Sequence, residues 1–306
     1  MDKKMYIIAG ATATGKTAVA LELAKKIGGE IISADSMQVY RGMNIGTAKP
    51  TIEEMAGIPH HLIDVVNPDE AFSVAQFQKM AQCAIEEIYR RGNVPILAGG
   101  TGFYINAVLY GANFPENNEH EEELRVQFTA LAQEKGADFL HKKLTELDSA
   151  YAQTVHANNV KRVARALAYC EASGKLFSEY NRIQKEKKPL FNAEFYVLST
   201  EREILYERIN ARTNTMFKAG LIDEVQNLLE KGYHKGLAAM QGIGYKETVQ
   251  IICGEVSRKD AIDAIQQATR NYAKRQETWF KNQTSNASII NTEENSTKEI
   301  AEKIMK

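Results

Sequence analysis

Three things are scarce in this 306-residue chain: paired cysteines, net charge and long apolar runs. The three cysteines, Cys83, Cys170 and Cys253, stand apart, with no C-x-x-C pair among them. Neither a zinc site nor a disulfide framework is suggested, and buried free thiols are the expectation. The formal net charge is −1. That gives no bulk attraction for polyanions, so any nucleic-acid binding has to come from a local patch. Met1-Asp2-Lys3-Lys4 leads into five apolar-type residues before Gly10. This is too few for a signal-peptide core, and no run approaches a transmembrane span. A cytoplasmic protein is expected, with no membrane partner. Internal repeats and low-complexity segments are also lacking.

What is present is a rhythm of strands and helices. Met5 to Ala9 is a short apolar run that stops at a glycine-rich loop, and residues 17–27 then place Val19, Leu23 and Ile27 at four-residue steps. Glu30–Ala34 reads as a second strand ending on Asp35, 74–91 as a helix closed by Gly92, and Val94–Ala98 as a third strand ending in Gly99-Gly100-Thr101-Gly102. Alternation of this kind implies a parallel sheet with crossover helices, whose ligands gather beyond the carboxyl ends of the strands. The fold class expected is α/β, a P-loop NTPase-like parallel-sheet core carrying a helical insertion domain. The core takes 1–110 and 191–306, with a returning strand at Phe195–Ser199 and helices at 203–232 and 260–281. The insertion takes 111–190 and begins with a polar and acidic stretch. The tail from Asn282 is polar, with a short strand at Ser288–Asn291 and some mobility expected.

Gly10-Ala11-Thr12-Ala13-Thr14-Gly15-Lys16-Thr17 has the G-x-x-x-x-G-K-[ST] pattern between a strand and a helix. Its glycines let backbone amides turn around phosphate oxygens, and the helix N-terminus adds a positive dipole end. Lys16 would reach the terminal phosphate, and the Thr17 hydroxyl would ligate Mg²⁺. A P-loop kinase usually adds a strand ending in Asp for the Mg²⁺ shell. Here the best strand ends in Gly99-Gly100-Thr101, and only the short Leu62-Ile63-Asp64 could supply that Asp. ATP binding stays open but is weakened. Asp35, at a strand end, could be a general base or a turn cap. Thr101 could hydrogen-bond a substrate or belong to a plain turn. Arg208 and Arg212, four apart on one helix, suit a diphosphate or a solvated face. His60-His61 invites a metal reading with only Asp64 near it. Residues 157–190 hold Lys161, Arg162, Arg165, Lys175, Arg182, Lys185, Lys187 and Lys188 against three glutamates, a local +5. Arg270, Lys274, Arg275 and Lys281 form a second basic stretch ending beside Trp279 and Phe280. Such patches suit folded RNA, although charge runs are commonly just solvated surface.

Taken together, the blocks resemble those of the tRNA dimethylallyltransferase family. They are GATATGKT at 10–17, DSMQVY at 35–40, GTAKP at 46–50, HHLID at 60–64, GGTGFY at 99–104, KRVARAL at 161–167, MFKAGLIDEV at 216–225, QGIGYKE at 241–247 and TRNYAKRQETWF at 269–280. The resemblance implies transfer of a dimethylallyl group from dimethylallyl diphosphate to N6 of the adenosine next to the anticodon (position 37), in tRNAs reading codons that begin with U. It implies that residues 10–17 hold the diphosphate, that Asp35 is the base, that Thr101 bonds near the same centre, and that Arg212 attends the diphosphate. Contacts with the tRNA anticodon stem-loop would fall on Asp35, Ser36, Met37, Gln38 and Thr101. Others would fall on Lys161, Arg162, Val163, Ala164 and Arg165, and on Gln241, Gly242, Ile243, Gly244, Tyr245 and Lys246. Mg²⁺ on Thr17, a monomer and no stable protein partner complete the expectation. Ala11, Thr14 and Phe103 stand where the family commonly has Pro, Ser and Leu, and Phe103 is expected to reshape the prenyl pocket. The alternatives are an adenylate isopentenyltransferase and a small-molecule P-loop kinase.

Overall fold

The computed structural model describes residues 4–112, 119–284 and 286–306. Of the polar and acidic stretch expected at 111–123, residues 113–118 lie outside the described residues, and Glu119, Glu121, Glu122 and Glu123 fall on the first helix of the insertion. The chain divides into two compact units, Met1–Leu109 with Pro189–Lys306, and Tyr110–Lys188.

The first unit is built on a parallel sheet of six strands among the described residues, in the order β3-β2-β4-β1-β5-β6. In chain order its first half runs β1 (Lys4–Gly10), α1 (Lys16–Ile27), β2 (Gly29–Ser33), α2 (Ile52–Met55), β3 (His60–His61), α3 (Val74–Arg90), β4 (Val94–Gly99) and α4 (Gly102–Tyr110). Strand β1 is central, pairing with β4 on one side and with β5 (Asn192–Ser199) on the other. Its residues Met5 to Gly10 are all buried, which is why it reads as a continuous apolar run rather than an alternating one. The strand order reverses around β1, so the loop after it opens at the switch point of the sheet. Helix α1 buries Val19, Ala20, Leu23 and Ala24 and ends on Gly28 in the left-handed region, whose N–H closes on the Ala24 carbonyl. Helix α3 starts with a Ser73–Gln76 capping box and buries Phe77, Ala81, Ala84, Ile85 and Ile88.

The second unit is helical: α5 (Glu119–Lys135), α6 (Ala137–Leu147), α7 (Ser149–Ala152), α8 (Val160–Ser173) and α9 (Phe177–Lys185). Helix α8 is its centre, burying Val163, Ala164, Ala166, Leu167, Ala168, Tyr169 and Cys170. Asp148, 2% exposed, ties three segments together. Its Oδ1 accepts from the Tyr151 amide and its Oδ2 from the Ser178 amide at 2.7 Å.

The chain then returns through β5, α10 (Arg202–Lys218), α11 (Leu221–Glu230), α12 (Tyr245–Ile252), α13 (Arg258–Gln283), β6 (Ser288–Asn291) and α14 (Thr297–Met305). Three expectations change. The helix read at 203–232 is two helices, because Gly220 takes φ 98° and turns the chain between them. The tail carries an unexpected helix, α14, which begins with a Ser296–Glu299 capping box and packs Ile300, Ala301 and Ile304 into the α1 side of the core. Of the thiols only Cys170 is buried, while Cys83 and Cys253 are exposed. Among the described residues no helix is long and apolar enough to cross a membrane.

Candidate functional site

The carboxyl ends of β1, β2 and β4 meet at one cleft of about 650 Å³ in the first unit. The loop after β1 forms its floor. Gly10 has φ 146°, and a Cβ there would lie 2.6 Å from the Leu198 carbonyl oxygen, so this position requires glycine. Gly15, in the left-handed region at φ 89°, is the last residue before α1. The first-turn amides of α1 therefore face the cleft as the unpaired donors of a helix start. The Lys16 ammonium folds back onto the Ala11 carbonyl, which the Thr14 hydroxyl also reaches at 2.8 Å. Enclosure by protein, with Arg212 nearby, pushes Lys16 down from the ordinary 10.5 to about 7, and Asp35 acts the other way.

Arginines close one side. Arg208 and Arg212 of α10 both line the cleft, and Arg212 Nη1 donates to Thr12 Oγ1 at 3.3 Å. Burial also lowers the Arg212 guanidinium from its ordinary value, opposed by Asp35. Lys16 and Arg212, near each other and partly out of water, with the exposed Arg208 beside them, are a receptive site for a multiply charged anion.

Asp35 closes the other side, just past β2. Its Oδ1 accepts from the Met37 amide at 2.8 Å and the Gln38 amide at 3.3 Å. The turn-capping and functional readings of this residue are thus compatible, because one oxygen caps the turn and the other is left for chemistry. The Gln38 amide group is fixed by Ser33 and by the Thr47 and Ala48 carbonyls, and all four residues line the cleft.

Thr101 does not line the cleft. Its Oγ1 accepts from the Ser36 amide at 3.1 Å, and its own N–H donates to the Ala34 carbonyl at 3.1 Å. It brackets Asp35 from both sides. The neighbouring glycines are explained by close approach: a Cβ at Gly99 would sit 2.2 Å from the Ala34 oxygen, and one at Gly102 2.1 Å from the Trp279 ring. Phe103, expected to shape a prenyl pocket, is instead 53% exposed and outside the cleft lining.

Local reading missed several lining residues. Tyr272 and Gln276 of α13 stand in the cleft, and burial together with the Asp35 charge pushes the Tyr272 phenol up to about 12. Leu21, Ile31 and Ile63 supply an apolar wall, and His60 lines the same cleft. The His60 Nδ1 bonds the Ile58 carbonyl, while His61 is drawn away to Glu30 at 2.6 Å. That pairing, with Arg91 and Asn93 on the same buried carboxylate, accounts for His61 without a metal.

Other sequence candidates lie apart from the cleft. In QGIGYKE, Tyr245 is fully buried and its hydroxyl donates to Glu224 at 2.7 Å. The same carboxylate accepts the Asn44, Ile45 and Gly46 amides, so this block anchors the GTAKP loop. Gln241 and Lys246 remain exposed. In the helical unit Val163 and Ala164 are fully buried, so their side chains face the core of that unit. Lys161, Arg162 and Arg165 form its exposed side, and Lys161 also lines a groove with Arg125. Arg182 is paired with Glu179 and Glu186, which offsets its charge, while Lys187 donates to the Gly111 carbonyl.

Residues 38–283 match the family model described as IPP transferase. The chain belongs to the IPP transferase family. Curated relatives within reach include the tRNA dimethylallyltransferase of Alkaliphilus oremlandii, 47% identical over 284 residues, with 92% of this chain and 89% of the relative covered. That of Lachnoclostridium phytofermentans is 47% identical over 277 residues, covering 90% and 88%. Among solved structures, a tRNA isopentenylpyrophosphate transferase from Staphylococcus epidermidis has a TM-score of 0.73 at 42% identity, covering 99% of this chain and 98% of that one. A eukaryotic dimethylallyltransferase described as acting on tRNA gives 0.79 at 28% identity, covering 95% and 74%. The α/β core with its P-loop is thus the fold of this family, and the kinase alternative is not favoured.

Proposed function

We propose that this chain transfers a dimethylallyl group from dimethylallyl diphosphate to N6 of the adenosine beside the anticodon (position 37), in tRNAs that read codons beginning with U. Diphosphate is released. The observation that carries the reading is one cleft holding a phosphate loop, two arginines, a carboxylate and an apolar wall, in a family whose relatives bear that name.

The chemistry follows from the groups. An exocyclic adenine amine is a poor nucleophile, because its lone pair is delocalised into the ring. An allylic diphosphate compensates by breaking its C1–O bond readily. Lys16, Arg208, Arg212 and the first-turn amides of α1 stabilise the departing diphosphate. Leu21, Ile31 and Ile63 receive the dimethylallyl chain. As the new N6–C1 bond forms, N6 loses a proton to Asp35 through Oδ2, since Oδ1 is occupied by the turn amides. Thr101 keeps the Asp35 turn in register. The target base has to leave its stack to enter the cleft, at a cost of about a few kcal/mol. Lys161, Arg162 and Arg165, with Ser36 to Gln38, Gln241 and Lys246, supply the tRNA contacts that offset this.

Among the described residues no cluster of three or more His, Cys, Asp or Glu side chains could hold a metal. The Thr17 hydroxyl is exposed on the first turn of α1. A hard, single-oxygen donor fits Mg²⁺ bound mainly through substrate oxygens and water, and does not fit a metal needing nitrogen or sulfur. Mg²⁺ held there would neutralise charge on the leaving diphosphate. Both substrates point to a cytoplasmic setting.

The test incubates the protein with dimethylallyl diphosphate labelled in the prenyl group, and with tRNA or AMP. A separate arm offers ATP as phosphoryl donor. Label in tRNA alone supports the proposal. Label in AMP points to an adenylate isopentenyltransferase, and phosphoryl transfer from ATP points to a kinase.

A further inference from the structure

The cleft is divided between segments far apart in sequence, and one buried side chain joins them. Gln276 is 6% exposed. Its Oε1 accepts the Thr12 amide of the phosphate loop at 2.9 Å. Its Nε2 donates to the Gly100 carbonyl at 2.9 Å. Gly100 leads directly into Thr101, which bonds the residues on either side of Asp35. A Cβ at Gly100 would fall 2.2 Å from Gln276 Nε2, so the glycine exists to admit this amide. Only an uncharged side chain offering an acceptor on one atom and a donor on the other satisfies both contacts.

We infer that Gln276 is a positioning residue: it holds the phosphate loop and the Asp35 turn at one separation, so that C1 of the prenyl diphosphate meets N6 as the C–O bond breaks. This rests on the prenyl-transfer reading above. Gln276 contributes geometry rather than binding energy, and misplacement by about 1 Å can cost about a hundredfold in rate. A specific side reaction follows from its loss. If the C–O bond breaks while N6 is out of line, water takes the allylic carbon. The products are then dimethylallyl alcohol and diphosphate, with the water proton released.

Two variants test this, Gln276→Met and Gln276→Glu. The readouts are kcat, KM for each substrate, the melting temperature, and the share of consumed prenyl diphosphate that ends as alcohol. For Gln276→Met we expect kcat to fall tenfold or more, roughly in line with lost alignment. Both KM values should stay within about threefold and the alcohol share should rise. In Gln276→Glu a carboxylate oxygen faces the Gly100 carbonyl, and protonation restores the donor. Its kcat relative to wild type should therefore climb as the pH falls. An unchanged alcohol share in both variants, together with a flat pH ratio, overturns the inference even if stability drops. Wild-type protein that fails to label tRNA overturns the functional reading as well, so the two failures are distinguishable.

Discussion

Lys16 should make diphosphate binding strongly pH-dependent. In the protein alone its ammonium is pushed down from 10.5 to about 7, chiefly by enclosure and then by Arg212. A diphosphate in the loop adds negative charge beside it and restores the protonated form. Binding then takes up a proton at any pH between about 7 and the restored value. At pH 8 only roughly a tenth of the free molecules carry the charge, and between pH 7 and 9 the affinity should drop about fiftyfold from this group alone. Calorimetric titration with inorganic diphosphate, in two buffers of different ionisation heat, counts the protons. Lys16→Arg is the comparator, since a guanidinium stays charged and the titration of the ligand itself cancels. The wild type should take up close to one more proton than Lys16→Arg near pH 8.5. Equal uptake, with an affinity ratio flat in pH, would refute the reasoning. The same shift has a signed effect on stability. The unfolded chain holds this proton up to about 10.5, so raising the pH from about 7 to 10.5 should stabilise the ligand-free protein.

Three other outcomes are expected. Asp35→Asn keeps the Oδ1 turn contacts and removes the base, so single-turnover transfer should slow by about a hundredfold or more while tRNA affinity holds; unchanged turnover would remove Asp35 from the mechanism. Replacing Lys161, Arg162 and Arg165 together by Ala should weaken tRNA binding and flatten its dependence on log salt by about two, whereas an unaltered slope would make this face ordinary solvated surface. Gly102→Ala forces a Cβ to within 2.1 Å of the Trp279 ring, which should cost about 1–3 kcal/mol on denaturation. Trp279 is the single tryptophan, so its emission should shift with the same substitution.

Much of the core was legible because its signals are local. Strand β1 is buried on both faces and reads as an unbroken apolar run; α1 and α3 carry helical periodicity closed by Gly28 and Gly92; the P-loop is contiguous. The break at Gly220 was hidden because apolar residues on both sides keep helical spacing, and α14 because its polar composition masks a three-residue apolar stripe. In the site, Asp35 and the P-loop were visible at strand ends. Gln276 and Tyr272 were not, since they sit on a long polar helix where a cleft-facing glutamine looks like any solvated one.

The sequence by itself therefore made legible the P-loop pattern after β1, the parallel core that presents it, and a helical stretch between α4 and β5 whose second half is basic. These follow from periodicity, glycine placement and charge, each confined to a few turns of chain. Tertiary structure decided which side chains are left for chemistry. It turned Val163 and Ala164 inward, set Thr101 against the Asp35 turn, and brought Gln276 to Thr12 and Gly100 across 264 and 176 residues. Those contacts depend on the order in which β1 and β4 pair and on where α13 crosses them, and no local pattern in the chain encodes that order.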